Sequence, residues 1–103
     1  MQLYFAPASY AAGRYGTTDL DTQPGMTLGA SQLRPDSTGH VKALSAAPDA
    51  KPEIQPNYLA AQSDRDALLA AMKYLRKLLN TKPLSDYVIR ENFPGPEIGR
   101  AHV

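Results

Sequence analysis

Ser63-Asp64-Arg65-Asp66-Ala67-Leu68-Leu69-Ala70-Ala71-Met72-Lys73-Tyr74-Leu75-Arg76-Lys77-Leu78-Leu79-Asn80 is the segment with sustained helical periodicity. Leu68, Met72, Leu75 and Leu79 recur at alternating four- and three-residue steps, flanked by Ala71 and Leu78, so one helix face is apolar and has to pack on something. Ser63 is the expected N-cap, and Asp64 and Asp66 in the first turn suit the positive end of the macrodipole. Lys73, Arg76 and Lys77 suit the other end. Asn80 is expected to stop the helix in the left-handed conformation, and Pro83 to open a second, short helix running through Ile89.

Strands are expected on the N-terminal side of this helix. Met1 to Ala6 is a short apolar and aromatic run closed by Pro7. Alternation puts Gln2 and Tyr4 on one side of it and Leu3 and Phe5 on the other, with Leu3 and Phe5 as the natural core pair. Ala8 to Gly25, broken by Gly13, Gly16, Pro24 and Gly25, reads as a long surface loop. Met26 to Leu33 reads as a second strand ended by Pro35, which has no N–H for a ladder. Asp36-Ser37-Thr38-Gly39 is a turn, with Gly39 free to take a positive φ, and His40 to Ser45 is expected to return as the partner strand of a hairpin. Pro48, Pro52 and Pro56 make Ala46 to Pro56 an extended connection into Asn57-Tyr58-Leu59. Phe93-Pro94-Gly95-Pro96 is loop. The resulting class is α+β: antiparallel strands with a hairpin, one amphipathic helix and a short second helix packed on one face.

Composition narrows the function classes. The chain has 103 residues with 11 basic and 10 acidic side chains scattered along it, for a net charge of +1. Without a basic stripe to neutralise phosphates, nucleic acid is not an expected partner. The longest apolar run, Ala67 to Met72, is far short of the roughly 20 residues of a membrane-spanning helix, so a soluble chain without a membrane segment is expected. There is no cysteine, hence no disulfide or thiolate ligand.

Reactive groups are few. The histidines are His40, expected to be a solvated strand residue, and His102; neither has a carboxylate or second histidine at metal-ligand spacing. Gly13 and Gly16 do not form a phosphate loop, because no helix follows to supply its N-terminus. Asp64 and Asp66 could be read as a carboxylate pair, but on a helix they point different ways, and a capping role is expected of them. Tyr74 is expected to pack along the helix flank.

The order Leu33-Arg34-Pro35-Asp36-Ser37-Thr38-Gly39-His40-Val41, then Pro52-Glu53-Ile54-Gln55-Pro56-Asn57-Tyr58-Leu59, then Asp64 and the helix, resembles the C-terminal substrate-binding domain of glucose-methanol-choline (GMC) oxidoreductases, in particular choline dehydrogenase-like members. Met1 to Pro7 resembles the family strand ahead of this region, and Phe93 to Pro96 the loop after the helices. The chain departs from the family at Thr38, where an arginine is usual, and at Ala47, where an aspartate is usual.

The resemblance implies a parent enzyme in which FAD takes a hydride from an alcohol carbon while a histidine accepts the hydroxyl proton. The flavin-binding glycines and the histidine of that family fall outside the matched stretch. Residues 1–97 are therefore expected to be an incomplete domain that forms part of the wall of a small-alcohol site, inactive alone and not binding FAD alone. The resemblance offers no catalytic, cofactor-binding or metal residue here; the substrate-binding candidate is Tyr4, on the strand it places over the flavin. His102, between Ala101 and Val103, does not match the family's histidine segment. The alternative is a complete, non-enzymatic α+β binding or interaction module sharing the same order of elements.

Ile98-Gly99-Arg100-Ala101-His102-Val103 is the translation of a widely used sequencing adapter in one frame, so residues 98–103 are expected to be a non-native tail. The codons for Ile98 to Val103 should then match that adapter. A longer clone whose reading frame runs through them with different codons would contradict this.

Overall fold

The computed structural model describes residues 1–11 and 19–95 of the chain. Gly13 and Gly16 of the long loop, Pro96, and the tail Ile98 to Val103 with His102 lie outside the described residues. The elements are β1 (Gln2–Ala6), β2 (Thr27–Ser31), β3 (His40–Lys42), β4 (Glu53–Gln55), α1 (Gln62–Leu79) and a single 3₁₀ turn over Leu84–Asp86. This is the α+β mix expected, but the strands pair differently.

β2 pairs antiparallel with β1, with Gln2 opposite Ser31, Tyr4 opposite Gly29 and Ala6 opposite Thr27. The bridge between Tyr10 and Leu20 continues this ribbon into the expected loop. β3 pairs with β4, Val41 opposite Ile54, so the predicted hairpin of Met26–Leu33 with His40–Ser45 does not form. Two physical reasons account for the change. The backbone N–H groups of Asp36 and Ser37 point to a side chain of α1 rather than closing a hairpin turn. In the proline-rich connection, Pro52 and Pro56 bracket three residues that keep their N–H groups, and those three form β4. Gly39 is needed for proximity rather than for a positive φ: a Cβ there would sit 2.2 Å from the Gln55 carbonyl oxygen. The positive φ values among the described residues fall instead at Asn57, Leu59 and Gly95.

Both ends of α1 also differ from expectation. The N-cap is Ala61, not Ser63. Ser63 Oγ donates to Asp36 Oδ2 at 2.5 Å, while the Ala61 N–H donates to Ser37 Oγ at 3.0 Å. A neighbouring segment thus satisfies the helix start from outside. At the other end Asn80 has φ −90° and ψ 5°, not a left-handed conformation. Its side-chain Nδ2 donates to the Arg76 carbonyl at 2.7 Å, and Thr81 Oγ1 donates to that of Lys77 at 2.7 Å, so side chains satisfy the last carbonyls. Arg76 is more than a dipole complement. It donates from Nε and Nη2 to the two carboxylate oxygens of Glu91 at 3.0 and 2.9 Å and to the Gly95 carbonyl at 3.0 Å. Holding Glu91 there turns the chain back toward α1, and the second helix is one turn rather than a run to Ile89.

The apolar face is where the periodicity puts it. Ala71 is buried, and Leu68, Met72, Leu75, Leu78 and Leu79 are half-buried. α1 packs on the sheet through β2; Leu3 lines a shallow apolar depression with Ala70, Ala71 and Tyr74, but the expected core pair Leu3 and Phe5 is not buried, at 43% and 56% exposed. Tyr74, expected to pack, is half exposed.

Much apolar surface is left uncovered. Val41 and Ile54, paired on the β3–β4 ribbon, are 70% and 66% exposed, and Ile89 is 98% exposed. The accessible surface is 8687 Å², against about 5,700 Å² for a compact chain of this mass. The radius of gyration is 17.9 Å, where a compact domain of this length has about 13 Å. The chain is a fragment of a domain. Among the described residues no helix is long and apolar enough to cross a membrane.

In a full-length protein, Leu75→Asp should lower stability by about 2–4 kcal/mol by placing an unpaired charge under the sheet. Thermal unfolding checks this. An unchanged midpoint would mean that the Leu68–Leu79 face does not carry the packing.

Candidate functional site

Two clusters of polar groups stand out, and they differ in kind. The first is built around Asp64, which is 1% exposed. Its Oδ1 accepts from Gln32 Nε2 at 2.9 Å and from the Asp36 N–H at 2.9 Å. Its Oδ2 accepts from the Ser37 N–H at 2.8 Å and from the Ser37 hydroxyl. Four donors occupy the roughly four lone-pair sites of a carboxylate. The Ser37 hydroxyl, the largest influence, together with the Asp36 N–H, holds the Asp64 pKa down from 3.8 to about 2 against the opposing effect of burial, and the Ser37 N–H and Gln32 add to the lowering. A carboxylate so saturated has no free acceptor for a substrate proton or a metal. It fastens the end of β2, the Asp36–Ser37 turn and the first turn of α1 together. Asp66 faces elsewhere, accepting from Gln62 Nε2 at 2.8 Å, so the two aspartates do not form one site.

The connector between β4 and α1 is fastened to the same cluster. Asn57 Nδ2 donates to the Thr38 carbonyl at 3.0 Å, and Arg65 Nη1 donates to the carbonyls of Leu59 and Ala60 at 2.5 and 2.8 Å. Asn57 and Leu59 are held at φ 54° and 56°, a conformation that a bulky residue such as Leu59 adopts only when its surroundings dictate it.

His40 corrects the sequence reading in one respect. It is exposed, as expected, yet its Nε2 lies 2.5 Å from Glu53 Oε1, because β3–β4 pairing brings a carboxylate to it from 13 residues away. The pair sits on the exposed ribbon, and among the described residues no third side chain is hydrogen-bonded to it. No cluster of three metal-ligating side chains occurs among the described residues.

The second cluster is the open face of β1–β2. Register and alternation put Gln2, Tyr4, Thr27, Gly29 and Ser31 on one face, with Leu3 on the other, beside α1. Tyr4 therefore faces away from the helix. Its ring lies over Gly29, so close that a Cβ at that position would come within 2.0 Å of two ring carbons. The side chain remains 53% exposed, and among the described residues its hydroxyl has no hydrogen-bond partner. A half-open phenol with a free donor, on a face lined by small and polar side chains, can bind a hydroxyl-bearing ligand.

Comparison with known proteins agrees with the resemblance read from the motifs. Residues 35–102 match the family described as GMC oxidoreductase. An oxygen-dependent choline dehydrogenase of Staphylococcus saprophyticus is 32% identical over 98 residues, covering 95% of this chain and 17% of its own length. An alcohol dehydrogenase [acceptor] of Pseudomonas putida is 34% identical over 74 residues, 72% of this chain and 13% of its own. A chloroplastic fatty acid photodecarboxylase of Chlamydomonas reinhardtii is 35% identical over 71 residues, 69% of this chain and 12% of its own. The chain thus spans less than a fifth of the length of these relatives. No solved structure gives a significant match.

Asp64 has a depressed pKa in the folded state, so its contribution to stability is present above pH 3.8 and is lost as pH falls toward about 2. Asp64→Asn in a full-length protein should lower the urea midpoint at neutral pH, and the gap to the parent should narrow between pH 4 and 2. Equal midpoints at neutral pH, or a gap that stays constant on acidification, would contradict the assignment.

Proposed function

This chain belongs to the GMC oxidoreductase family, and from that premise we propose that it forms part of the substrate-binding domain of an FAD-dependent enzyme oxidising the CH–OH group of a small alcohol. The observation that carries this reading is the position of Tyr4 on the sheet face opposite α1, half exposed and with a free hydroxyl. α1 packs beside β2 on one face of the sheet, and the reading puts the ligand on the other. There Tyr4 donates a hydrogen bond to the alcohol oxygen, and Gln2 and Ser31 make the surrounding wall polar.

The described residues do not fit FAD. The N-terminus of α1 follows a connector held to the Asp64 cluster, and the Ala61 N–H is already engaged by Ser37. Among the described residues no glycine-rich turn joins a strand to a helix N-terminus where a pyrophosphate would sit. His40, tied to Glu53 on an exposed ribbon, is not placed as a base beside Tyr4 either. These observations support the reading that the flavin and the proton acceptor are supplied by other parts of the parent and that this chain has no activity alone.

Two measurements test the reading. The purified chain mixed with FAD should emerge from desalting colourless, whereas stoichiometric flavin retention would contradict it. In the full-length enzyme, Tyr4→Phe should lower kcat/KM for small alcohols roughly fivefold, the equivalent of about 1 kcal/mol for one hydrogen bond. Unchanged kinetics with the flavin fully bound would return Tyr4 to a packing role.

A further inference from the structure

Gly29 occupies the middle of β2, where glycine weakens a strand because it has no side chain to pack and loses more backbone freedom than any other residue. Its backbone does not require glycine, since its φ is not in the left-handed region. What requires it is the side chain opposite. A Cβ at position 29 would lie 2.0 Å from Cε2 and Cζ of Tyr4 and 2.3 Å from its hydroxyl oxygen. The ring therefore lies in a slot that exists only because residue 29 has no side chain. Even an alanine would force the ring up by about 1.4 Å to reach ordinary contact at 3.4 Å. The atoms closest to the missing Cβ are the far end of the ring, so the slot sets where the phenol oxygen points and how high the ring stands above the sheet.

We propose that Gly29 is a positioning residue that acts through Tyr4: it holds the phenol flat on the sheet and thereby sets the bulk of alcohol that fits above it. This rests on the reading of Tyr4 as a substrate contact. Glycine keeps the space over the sheet open, whereas a side chain at 29 raises the ring into that space. Discrimination by size follows, because a pocket that gains or loses one methyl-sized volume shifts selectivity by roughly tenfold or more.

The test uses the full-length enzyme with primary alcohols of rising bulk, from ethanol to benzyl alcohol, as probes. Gly29→Ala should raise KM for benzyl alcohol roughly tenfold relative to ethanol, with flavin content unchanged. The same substitution in a Tyr4→Ala background should have no size-dependent effect, because the ring it displaces is gone. A merely structural glycine would instead lower flavin content or activity equally for every alcohol, and that result overturns the proposal. Should Gly29→Ala not fold, Tyr4→Ala alone decides: it empties the slot and should lower KM for benzyl alcohol relative to ethanol, and an unchanged ratio overturns the proposal. Failure here is distinct from failure of the functional reading. If Tyr4→Phe alters kinetics while Gly29→Ala leaves the size profile unchanged, only the role of Gly29 falls; if Tyr4→Phe changes nothing, both fall.

Discussion

Asp64 keeps its charge almost out of contact with water, and the arrangement around it depends on how that charge is satisfied. A buried carboxylate is tolerated only when it is fully hydrogen-bonded, and here the donors come from residues 27 to 32 positions earlier in the chain. The constraint is therefore long-range. It forces the Asp36–Ser37 turn against the start of α1, and Ser37 passes it on by accepting from the Ala61 N–H. Once that turn is held, β2 cannot continue into a hairpin with the segment after it. β2 is left to pair with β1, while β3 finds its partner in the three free N–H groups between prolines.

This pairing decides what each face of the fragment does. β1–β2 has α1 on one side, packed beside β2, and an open polar side bearing Tyr4. The β3–β4 ribbon projects with Val41 and Ile54 uncovered, and a two-stranded ribbon is marginal by itself in water. The uncovered apolar surface goes with the small share of each relative that the chain spans. An incomplete core therefore does not mean an ill-defined site, because the polar face of β1–β2 is shaped by local contacts between neighbouring strands.

The parts legible in the sequence are those governed by local pattern. The 3.6-residue period of Leu68, Met72, Leu75 and Leu79 placed α1 and its buried face, and the period of two in β1 placed Tyr4 opposite Leu3. What could not be read were the non-local partners. Ser63 and Asp64 both look like helix-start residues, yet one reaches out to Asp36 and the other receives a turn from far upstream; spacing alone cannot separate these from capping. Asn80 has the composition of a left-handed stop, but its amide finds the Arg76 carbonyl and no conformational change is needed. Gly29 carried one unused signal, since a glycine in a strand interior marks the close approach of something, and the something is the ring of Tyr4.

The central claim is that the open face of β1–β2 meets substrate through Tyr4. A crystal structure of the full-length protein with an alcohol bound tests it most directly. The account predicts the Tyr4 hydroxyl at hydrogen-bond distance, about 2.7 Å, from the alcohol oxygen, with its ring still flat on Gly29 and α1 on the far side of the sheet. An alcohol bound elsewhere, with the Tyr4 face covered by another segment of the protein, would contradict it.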